Sequence, residues 1–191
     1  MKKLAIFASG TGSNARKIIE YFSGSGSVEV ALVLSNKKDA GVLDIAREHG
    51  IPTMVFDRKM LYETDEVLDA LRAHHIDFIV LAGFLWLAPP PLIAAFPQRM
   101  INIHPALLPK YGGKGMYGMH VHEAVKAAGE TETGITIHYV NEHYDKGDFV
   151  FQMRCAVLPE DTPADIARKV QQLEHRYFPE IIAKLVSENA A

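Results

Sequence analysis

The chain contains a single cysteine, Cys155, among its 191 residues. One cysteine excludes an internal disulfide and a cysteine-rich metal site. Cys155 ends the alternating apolar run FVFQMRC. We therefore expect it to be a buried strand residue, because free cysteine usually behaves as a small hydrophobic side chain.

The chain also has no excess of basic residues. Lysine and arginine together number 20 against 23 acidic residues, which gives a formal net charge of -3. Binding to a nucleic-acid backbone depends on an excess of basic side chains. Nucleic acid is therefore excluded as a primary partner, and any recognition of phosphate must be local.

The sequence lacks a long apolar run at its start. The opening MKKLAIFASG carries only a short apolar stretch before Ser9 and Gly10, too short for a signal-peptide core or a membrane span. We expect a cytoplasmic protein with no membrane association. A composition of 48% hydrophobic and 23% charged residues suits one domain over residues 1–191, acting as a monomer or a homodimer.

Short apolar runs alternate with helical patterns through the first hundred residues, which is typical of βαβ units on a parallel sheet covered on both faces. After Pro159, apolar residues at helical spacing predict a long C-terminal helix. The fold class is therefore α/β, a Rossmann-like, mostly parallel twisted sheet flanked by helices, with a later strand pair. The predicted strands are 4–8, 28–34, 53–56, 78–82, 100–104, 135–140 and 149–155, and helices begin near residues 15, 42 and 64.

A glycine-rich turn, SGTGSNA from Ser9 to Ala15, joins the first strand to a helix. Backbone N–H groups at a helix N-terminus suit a phosphate. The string also fits the dinucleotide fingerprint G-x-G-x-x-A, but the second strand ends in LSN and not in the acidic residue that holds a ribose. NAD is thereby disfavoured. Lys37 and Lys38 leave a phosphorylated dinucleotide open, and a plain structural turn is the remaining alternative.

Asn102 and His104 alternate at the end of an apolar strand, so they lie on the same face at its carboxyl end, where ligands bind in open α/β sheets. An amide beside an imidazole suits acyl or formyl transfer, since one group stabilises an oxyanion and the other moves a proton. Asp145, in a later loop, can supply a carboxylate that sets the pKa of the histidine. From spacing alone, satisfaction of local backbone groups is an equal alternative.

The sequence gives little support for a metal site or for covalent catalysis by a serine. Nine histidines include the pair His120 and His122, with His138 and His143 farther on, but there is no HExxH motif and no compact carboxylate set. There is also no G-x-S-x-G nucleophile elbow. We expect neither a metal site nor a covalent serine intermediate.

Several longer segments resemble one enzyme family. IFASGTGSN, AGFLWL, NIHPALLPKYGGKGMYGMHVHEAV, GITIHYVNEHYDKGDFVFQ and QQLEHRYFP are together similar to glycinamide ribonucleotide formyltransferases over essentially the whole chain. The core N-I-H-P-x-L-L-P-x-Y is shared more widely by folate-dependent formyltransferases and formyltetrahydrofolate deformylases. The phosphate loop and the short length favour the glycinamide ribonucleotide enzymes.

The resemblance implies a catalytic set and two substrate sites, with no metal. The catalytic set is Asn102, His104 and Asp145. The acceptor, 5'-phosphoribosylglycinamide, is bound by Gly12, Ser13, Asn14, Gln171 and Glu174. The co-substrate, 10-formyltetrahydrofolate, is bound by Lys59, Leu85, Trp86, Leu87, Ala88, Asn102, Asn141, Glu142, His143, Tyr144 and Asp145.

Two positions depart from the pattern of relatives. Trp86 stands where some of them have arginine, and the loop from Lys110 to Gly118 is longer than the common form. In the implied reaction Asn102 and protonated His104 stabilise a tetrahedral oxyanion, with Asp145 raising the pKa of the histidine. A hydrolase that passes the formyl group to water, and an NADP-binding module built on the glycine turn, are the alternatives.

Overall fold

The computed structural model describes residues 1–188 and contains one seven-stranded sheet with the order β3-β2-β1-β4-β5-β6-β7. Strands β1 to β5 pair in parallel, whereas β6 is antiparallel to both β5 and β7. This confirms the predicted mostly parallel sheet with a later strand pair. The strands are β1 (Lys2–Phe7), β2 (Val28–Ser35), β3 (Thr53–Val55), β4 (Phe78–Leu81), β5 (Met100–His104), β6 (Glu132–Tyr139) and β7 (Phe149–Ala156).

Seven helices connect and cover the strands within residues 1–188. They are α1 (Ser13–Phe22), α2 (Gly41–Glu48), α3 (Arg58–Tyr62), α4 (Glu66–Ala73), α5 (Pro90–Ala95), α6 (Met119–Ala127) and α7 (Pro163–Glu188). The long C-terminal helix is confirmed and continues through Pro179, whose ring is buried. The sequence prediction did not include α3, α5 or α6. With five and six residues, α3 and α5 are too short to show helical periodicity, and α6 buries only two apolar side chains, Val121 and Val125.

The sheet is buried on both faces, which explains its nearly continuous apolar strands. Alternate residues of β1 divide between two cores: Leu4 and Ile6 pack on the side of α1, α2 and α7, whereas Ala5 and Phe7 pack on the side of α3, α4 and α5. Burial of this kind contributes roughly 25 cal/mol per Å² of apolar surface. The parallel strands thereby form a rigid platform whose carboxyl ends carry the loops described below.

Cys155 is a free cysteine in β7 but is only half-buried, so the expectation of a buried residue was wrong. The reason is topological: β7 forms one edge of the sheet and pairs on one side only. Within residues 1–188, no helix combines the length and the apolar content needed to cross a bilayer.

Candidate active site

The glycine turn after β1 leads directly into α1. Gly12 adopts φ 82°, and a Cβ at this position would lie 2.7 Å from the Cα of Val42 in α2. Only glycine fits that contact and that backbone conformation without strain. No side chain caps the first turn of α1, so its N–H groups and the helix dipole are directed at the space beside the turn. This arrangement suits an anionic group.

Helix α7 contributes two polar side chains beside this turn. Gln171 Nε2 lies 3.3 Å from Ser13 Oγ, and Asn14 Nδ2 donates to Glu174 Oε2 at 3.1 Å. Residue Glu174 is partly exposed as a whole, but its carboxyl group is deeply enclosed. Burial raises the pKa of Glu174 to about 7, against the lowering effect of the hydrogen bond from Asn14. The structure thus brings four predicted acceptor residues together.

The predicted catalytic set also converges. Asn102 and His104 extend from β5, and both reach Asp145 in the loop between β6 and β7. Asn102 Nδ2 lies 3.4 Å from Asp145 Oδ1, and His104 Nδ1 lies 3.5 Å from Asp145 Oδ2. The side chains of His104 and Asp145 are only 4% and 10% exposed. Most of the water is therefore excluded from this cluster, which strengthens its electrostatic interactions.

His104 is held at both ring nitrogens. Nε2 donates to the backbone carbonyl of Tyr111 at 2.7 Å, while Nδ1 faces the Asp145 carboxylate. A neutral imidazole donates from one nitrogen only, so the contact with Tyr111 assigns the proton to Nε2. Both neighbours raise the pKa of His104, but burial has the larger effect and brings the pKa below its ordinary value. The predicted effect of Asp145, to raise this pKa, is present, but desolvation of the charged ring outweighs it.

Asp145 is fixed by its backbone and by a hydrogen bond. It adopts φ 55°, a left-handed conformation uncommon for a non-glycine residue, and Oδ2 accepts from the N–H of Gly113 at 2.9 Å. Burial alone raises the pKa of Asp145. The nearby His138 ring, the charge of His104 and the Gly113 N–H together outweigh it, so the pKa of Asp145 lies below its usual value. Asp145 is therefore a carboxylate at neutral pH.

The segment from Leu85 to Ala88 follows β4 and is anchored through its backbone. The N–H of Leu85 donates to Ser9 Oγ at 3.1 Å, and Tyr62 Oη donates to the carbonyl of Leu87 at 2.9 Å. Ala88 is buried, whereas Trp86 is half-buried. The structure thus presents a short stretch of backbone, anchored by two hydrogen bonds, at the carboxyl end of β4.

An arginine that the sequence prediction omitted contacts this segment. The guanidinium of Arg58 stacks 4.6 Å from the centroid of the Trp86 ring. Its neighbour Lys59, the predicted folate residue, is exposed on α3. Cations over an indole face are attracted by the ring quadrupole. Arg58 is therefore the cation nearest the 85–88 segment for which the structure gives a contact.

The predicted loop residues 141–145 form a tight turn. Asn141 Oδ1 accepts from the N–H of His143 at 2.9 Å, and Glu142 and His143 are exposed. Val140, which precedes this loop, packs against the same apolar cluster as Trp86, and the nearby phenol of Tyr144 adds to burial in raising the pKa of Tyr62. The two stretches predicted to bind folate therefore lie near one another.

The two histidines of α6 lie in different environments. His120 is 64% exposed at its side chain, whereas His122 is buried. Residues 1–188 contain no group of three or more His, Cys, Asp or Glu side chains suited to a metal ion.

The sequence profile of the formyl transferase family matches residues 2–182. The chain belongs to this family. Phosphoribosylglycinamide formyltransferase of Haemophilus influenzae is 37% identical over 187 residues, which cover 95% of this chain and 86% of that protein. The crystal structure of the Bacillus halodurans phosphoribosylglycinamide formyltransferase is 38% identical and superposes with a TM-score of 0.87, covering 98% of this chain and 97% of the other. The predicted family and fold class are confirmed.

Some relatives of this formyl transferase are longer. The chloroplastic phosphoribosylglycinamide formyltransferase of Arabidopsis thaliana is 46% identical over 193 residues, which cover 98% of this chain and 66% of that protein. The chain thus spans about two thirds of the length of that relative.

The sequence prediction for this formyl transferase missed a role for His138. Its Nδ1 contacts the carbonyl of Tyr139 at 2.8 Å, so Nε2 is an acceptor and lies 3.2 Å from Asn102 Nδ2. Nε2 is also 3.5 Å from Asp145 Oδ1. Asn102 and His138 are direct partners in the β5–β6 register. His138 can be identified as a neighbour of Asn102 only from the pairing of β5 with β6, and the local sequence does not encode that pairing.

Proposed function

We propose that this formyl transferase moves the formyl group of 10-formyltetrahydrofolate to the amine of 5'-phosphoribosylglycinamide. The products are formyl-phosphoribosylglycinamide and tetrahydrofolate, and the reaction is a step of de novo purine biosynthesis. The observation that carries this proposal is the buried cluster of Asn102, His104 and Asp145. Relatives named phosphoribosylglycinamide formyltransferase, similar over nearly the whole chain, support the choice of acceptor.

The acceptor binds between α1 and α7 in this proposal. Gly12, Ser13 and Asn14 hold its phosphate at the helix N-terminus, where the uncapped first turn favours an anion. Gln171 and Glu174 face its ribose and its amide. The amine then lies toward the carboxyl end of β5, beside the catalytic cluster.

The folate binds on the other side of that cluster. The backbone of residues 85–88 reads the edge of the pterin, and loop residues 141–145 contact it from the opposite side. Arg58 and Lys59 supply positive charge near the carboxylates of the glutamate tail. This arrangement places the formyl group between the folate and the amine, next to Asn102 and His104.

The chemistry begins with attack of the neutral amine on the formyl carbon. A new carbon–nitrogen bond forms, and the carbonyl electrons become an oxyanion that Asn102 and His104 stabilise; one such donor is typically worth about 10²–10³ in rate. Asn102 Nδ2 donates to His138 and Asp145 in the free protein, so one of these hydrogens must turn toward the substrate.

Proton transfer completes the reaction. Burial favours the neutral form of His104 in the free protein, so the imidazole serves as the base. For this step its proton lies on Nδ1, toward Asp145, and Nε2 leaves the Tyr111 carbonyl, accepts the proton released by the attacking nitrogen and passes it to N10 of the folate. The bond between the formyl carbon and N10 then breaks. Asp145 stabilises the transient imidazolium and orients the ring. Direct transfer between the two bound substrates requires no metal in this scheme.

An assay of stoichiometry tests the proposal. With 10-formyltetrahydrofolate alone, we expect little formate; addition of 5'-phosphoribosylglycinamide is expected to start tetrahydrofolate release matched by formylated product. The His104→Ala variant is expected to bind both substrates but to lose the chemical step. Fast formate release that does not depend on the acceptor would identify a hydrolase instead. Full turnover in His104→Ala would overturn the mechanism.

The hydrolase and the NADP-binding module remain the alternatives. The paired side chains of α1 and α7 have no evident purpose when water is the acceptor, which favours the transferase. In a dinucleotide site the residue at the end of β2 holds a ribose, but here the Asn36 side chain is engaged by Ser9. A fluorescence titration with NADPH checks this alternative. Cytoplasmic location and a monomeric or dimeric state stay predictions from the sequence.

A further inference from the structure

Ser9 is a buried serine between the two proposed substrate sites. It lies two residues beyond the end of β1, is 3% exposed and makes three hydrogen bonds, one through its N–H and two through its Oγ. Its N–H donates to the carbonyl of Gly83 at 3.0 Å, and its Oγ accepts from the N–H of Leu85 at 3.1 Å. Ser9 therefore clamps residues 83–85 at two points, immediately before Trp86.

The orientation of the Ser9 hydroxyl is set by Asn36. Ser9 Oγ lies 2.6 Å from Asn36 Oδ1, so the hydroxyl donates to the amide oxygen and its lone pair is left for the N–H of Leu85. Asn36 follows β2, a strand that is adjacent to β1 in the sheet. A chain of two hydrogen bonds thus connects the end of β2, through Ser9, to the 85–88 segment.

We propose that Ser9 and Asn36 are positioning residues for the folate. The proposal rests on the proposed function only in naming the folate as the ligand of residues 85–88. A segment that binds a ligand through its backbone groups binds more tightly when that backbone is already ordered, because less conformational entropy is lost on binding. Without the Ser9 hydroxyl, the partly buried N–H of Leu85 lacks its partner, and the segment loses one of its anchors.

The acceptor loop is anchored separately, although it adjoins Ser9. The carbonyl of Gly10 accepts from the N–H of Val42 at 3.2 Å, and Gly12 packs directly against the same residue. The carbonyl of Gly12 accepts the first hydrogen bond of α1, from Arg16 at 2.9 Å. Loss of the Ser9 hydroxyl leaves these contacts intact. A positioning role therefore predicts a change in folate affinity with little change in acceptor affinity.

Four variants test the proposal. Ser9→Ala removes the acceptor of the Leu85 N–H, Asn36→Ala removes only the group that orients the hydroxyl, and Asn36→Asp keeps an acceptor oxygen. The matched control is Ser35→Ala, since Ser35 is fully buried at the end of β2 and its hydroxyl accepts only from the nearby N–H of Lys37. Folate affinity is measured by calorimetric titration with 10-formyltetrahydrofolate, and the KM of each substrate by steady-state assay.

We expect Ser9→Ala to weaken folate binding about tenfold and Asn36→Ala about threefold, the scale of one net hydrogen bond. Asn36→Asp is expected to restore affinity to within about twofold of wild type, and Ser35→Ala to stay in the same range. The acceptor KM stays within about twofold in all four. Unchanged folate affinity in Ser9→Ala, or equal losses for both substrates, would overturn the positioning role.

Trp86 supplies an independent readout because it is the only tryptophan of the chain and lies within the segment. We expect faster depolarisation of Trp86 fluorescence in Ser9→Ala than in Ser35→Ala. This measurement needs no ligand, so it tests the clamp even if the proposed function is wrong. Wild-type protein that fails to bind 10-formyltetrahydrofolate would contradict the proposed function, whereas unaltered Trp86 depolarisation in Ser9→Ala would contradict the clamp.

Discussion

Asn14 and Glu174 are joined by a hydrogen bond of 3.1 Å across 160 positions of the chain. Asn14 lies in the first turn of α1 and Glu174 in the middle of α7, so the bond ties the two ends of the sequence together. Asn14 Oδ1 is buried and makes no hydrogen bond within the described part of the chain. A ligand donor at that oxygen would complete the pair.

Glu174 is expected to make stability fall as pH rises. The pKa of Glu174 is about 7 in the folded protein against 4.5 as its ordinary value, so the folded state holds the proton more tightly. The resulting stabilisation is full below about 4.5 and is lost as the pH rises through about 7. Between pH 5 and pH 8 we expect wild type to lose about 2 kcal/mol through this group. Urea denaturation measures it.

Glu174→Gln is expected to remove this dependence, because the amide stays neutral at both pH values. Glu180→Gln, an exposed position on the same helix, is the matched control and is expected to follow wild type. Parallel stability curves for wild type and Glu174→Gln would show that the carboxyl group is ionised throughout.

Asn14→Ala is expected to act on the acceptor. The substitution removes the donor to Glu174 and a polar group from the first turn of α1, but it leaves the Ser9 clamp and the 85–88 segment unchanged. The acceptor KM is expected to rise about tenfold or more with folate KM unchanged. Steady-state kinetics with each substrate varied in turn decides this. A selective loss of folate affinity would reverse the assignment of the two sites.

Gly12→Ala is expected to damage the same loop through sterics. A Cβ at Gly12 meets the backbone of Val42 at 2.7 Å, and the positive φ disfavours any other residue. We expect about 1–3 kcal/mol of lost stability together with a raised acceptor KM. Gly10→Ala is the matched control, because a Cβ there meets nothing within 4 Å. Equal behaviour of the two variants in denaturation and kinetics would contradict this account.

Asp145→Asn is expected to move the pH–rate profile. The Asp145 carboxylate raises the pKa of His104, so its neutralisation lowers that pKa further. The acidic limb of the profile, on which protonation of His104 removes the base, then shifts to lower pH, and turnover at neutral pH falls because the transient imidazolium loses its carboxylate partner. The dependence of kcat on pH, compared with wild type, measures the shift. An unchanged profile with near-normal turnover would leave Asp145 a structural residue of its loop.

The sequence predicted β5 without error, because residues 100–104 form an apolar run that ends in a turn. Its alternation placed Asn102 and His104 on one face, as the structure confirms. The strand that pairs with β5 could not be predicted in the same way. Antiparallel pairing of β5 with β6 joins Asn102 to His138, 36 positions away, and no local pattern encodes this pairing. His138 was missed for that reason. The sequence predicted that Asp145 raises the pKa of His104, but the larger, opposing effect of burial depends on tertiary packing by distant segments.

The order of site residues along the chain bears on synthesis. The 85–88 segment and the residues that anchor it, Ser9, Asn36 and Tyr62, all precede β5 in the sequence. The contact of α1 with Glu174, in contrast, requires α7. The ribosome extends the chain from its N-terminus. The parallel half of the sheet therefore emerges first, with the apolar face beneath α7 still open to water. The residues that join α1 to α7 on the acceptor side are therefore the last part of the site to be synthesised.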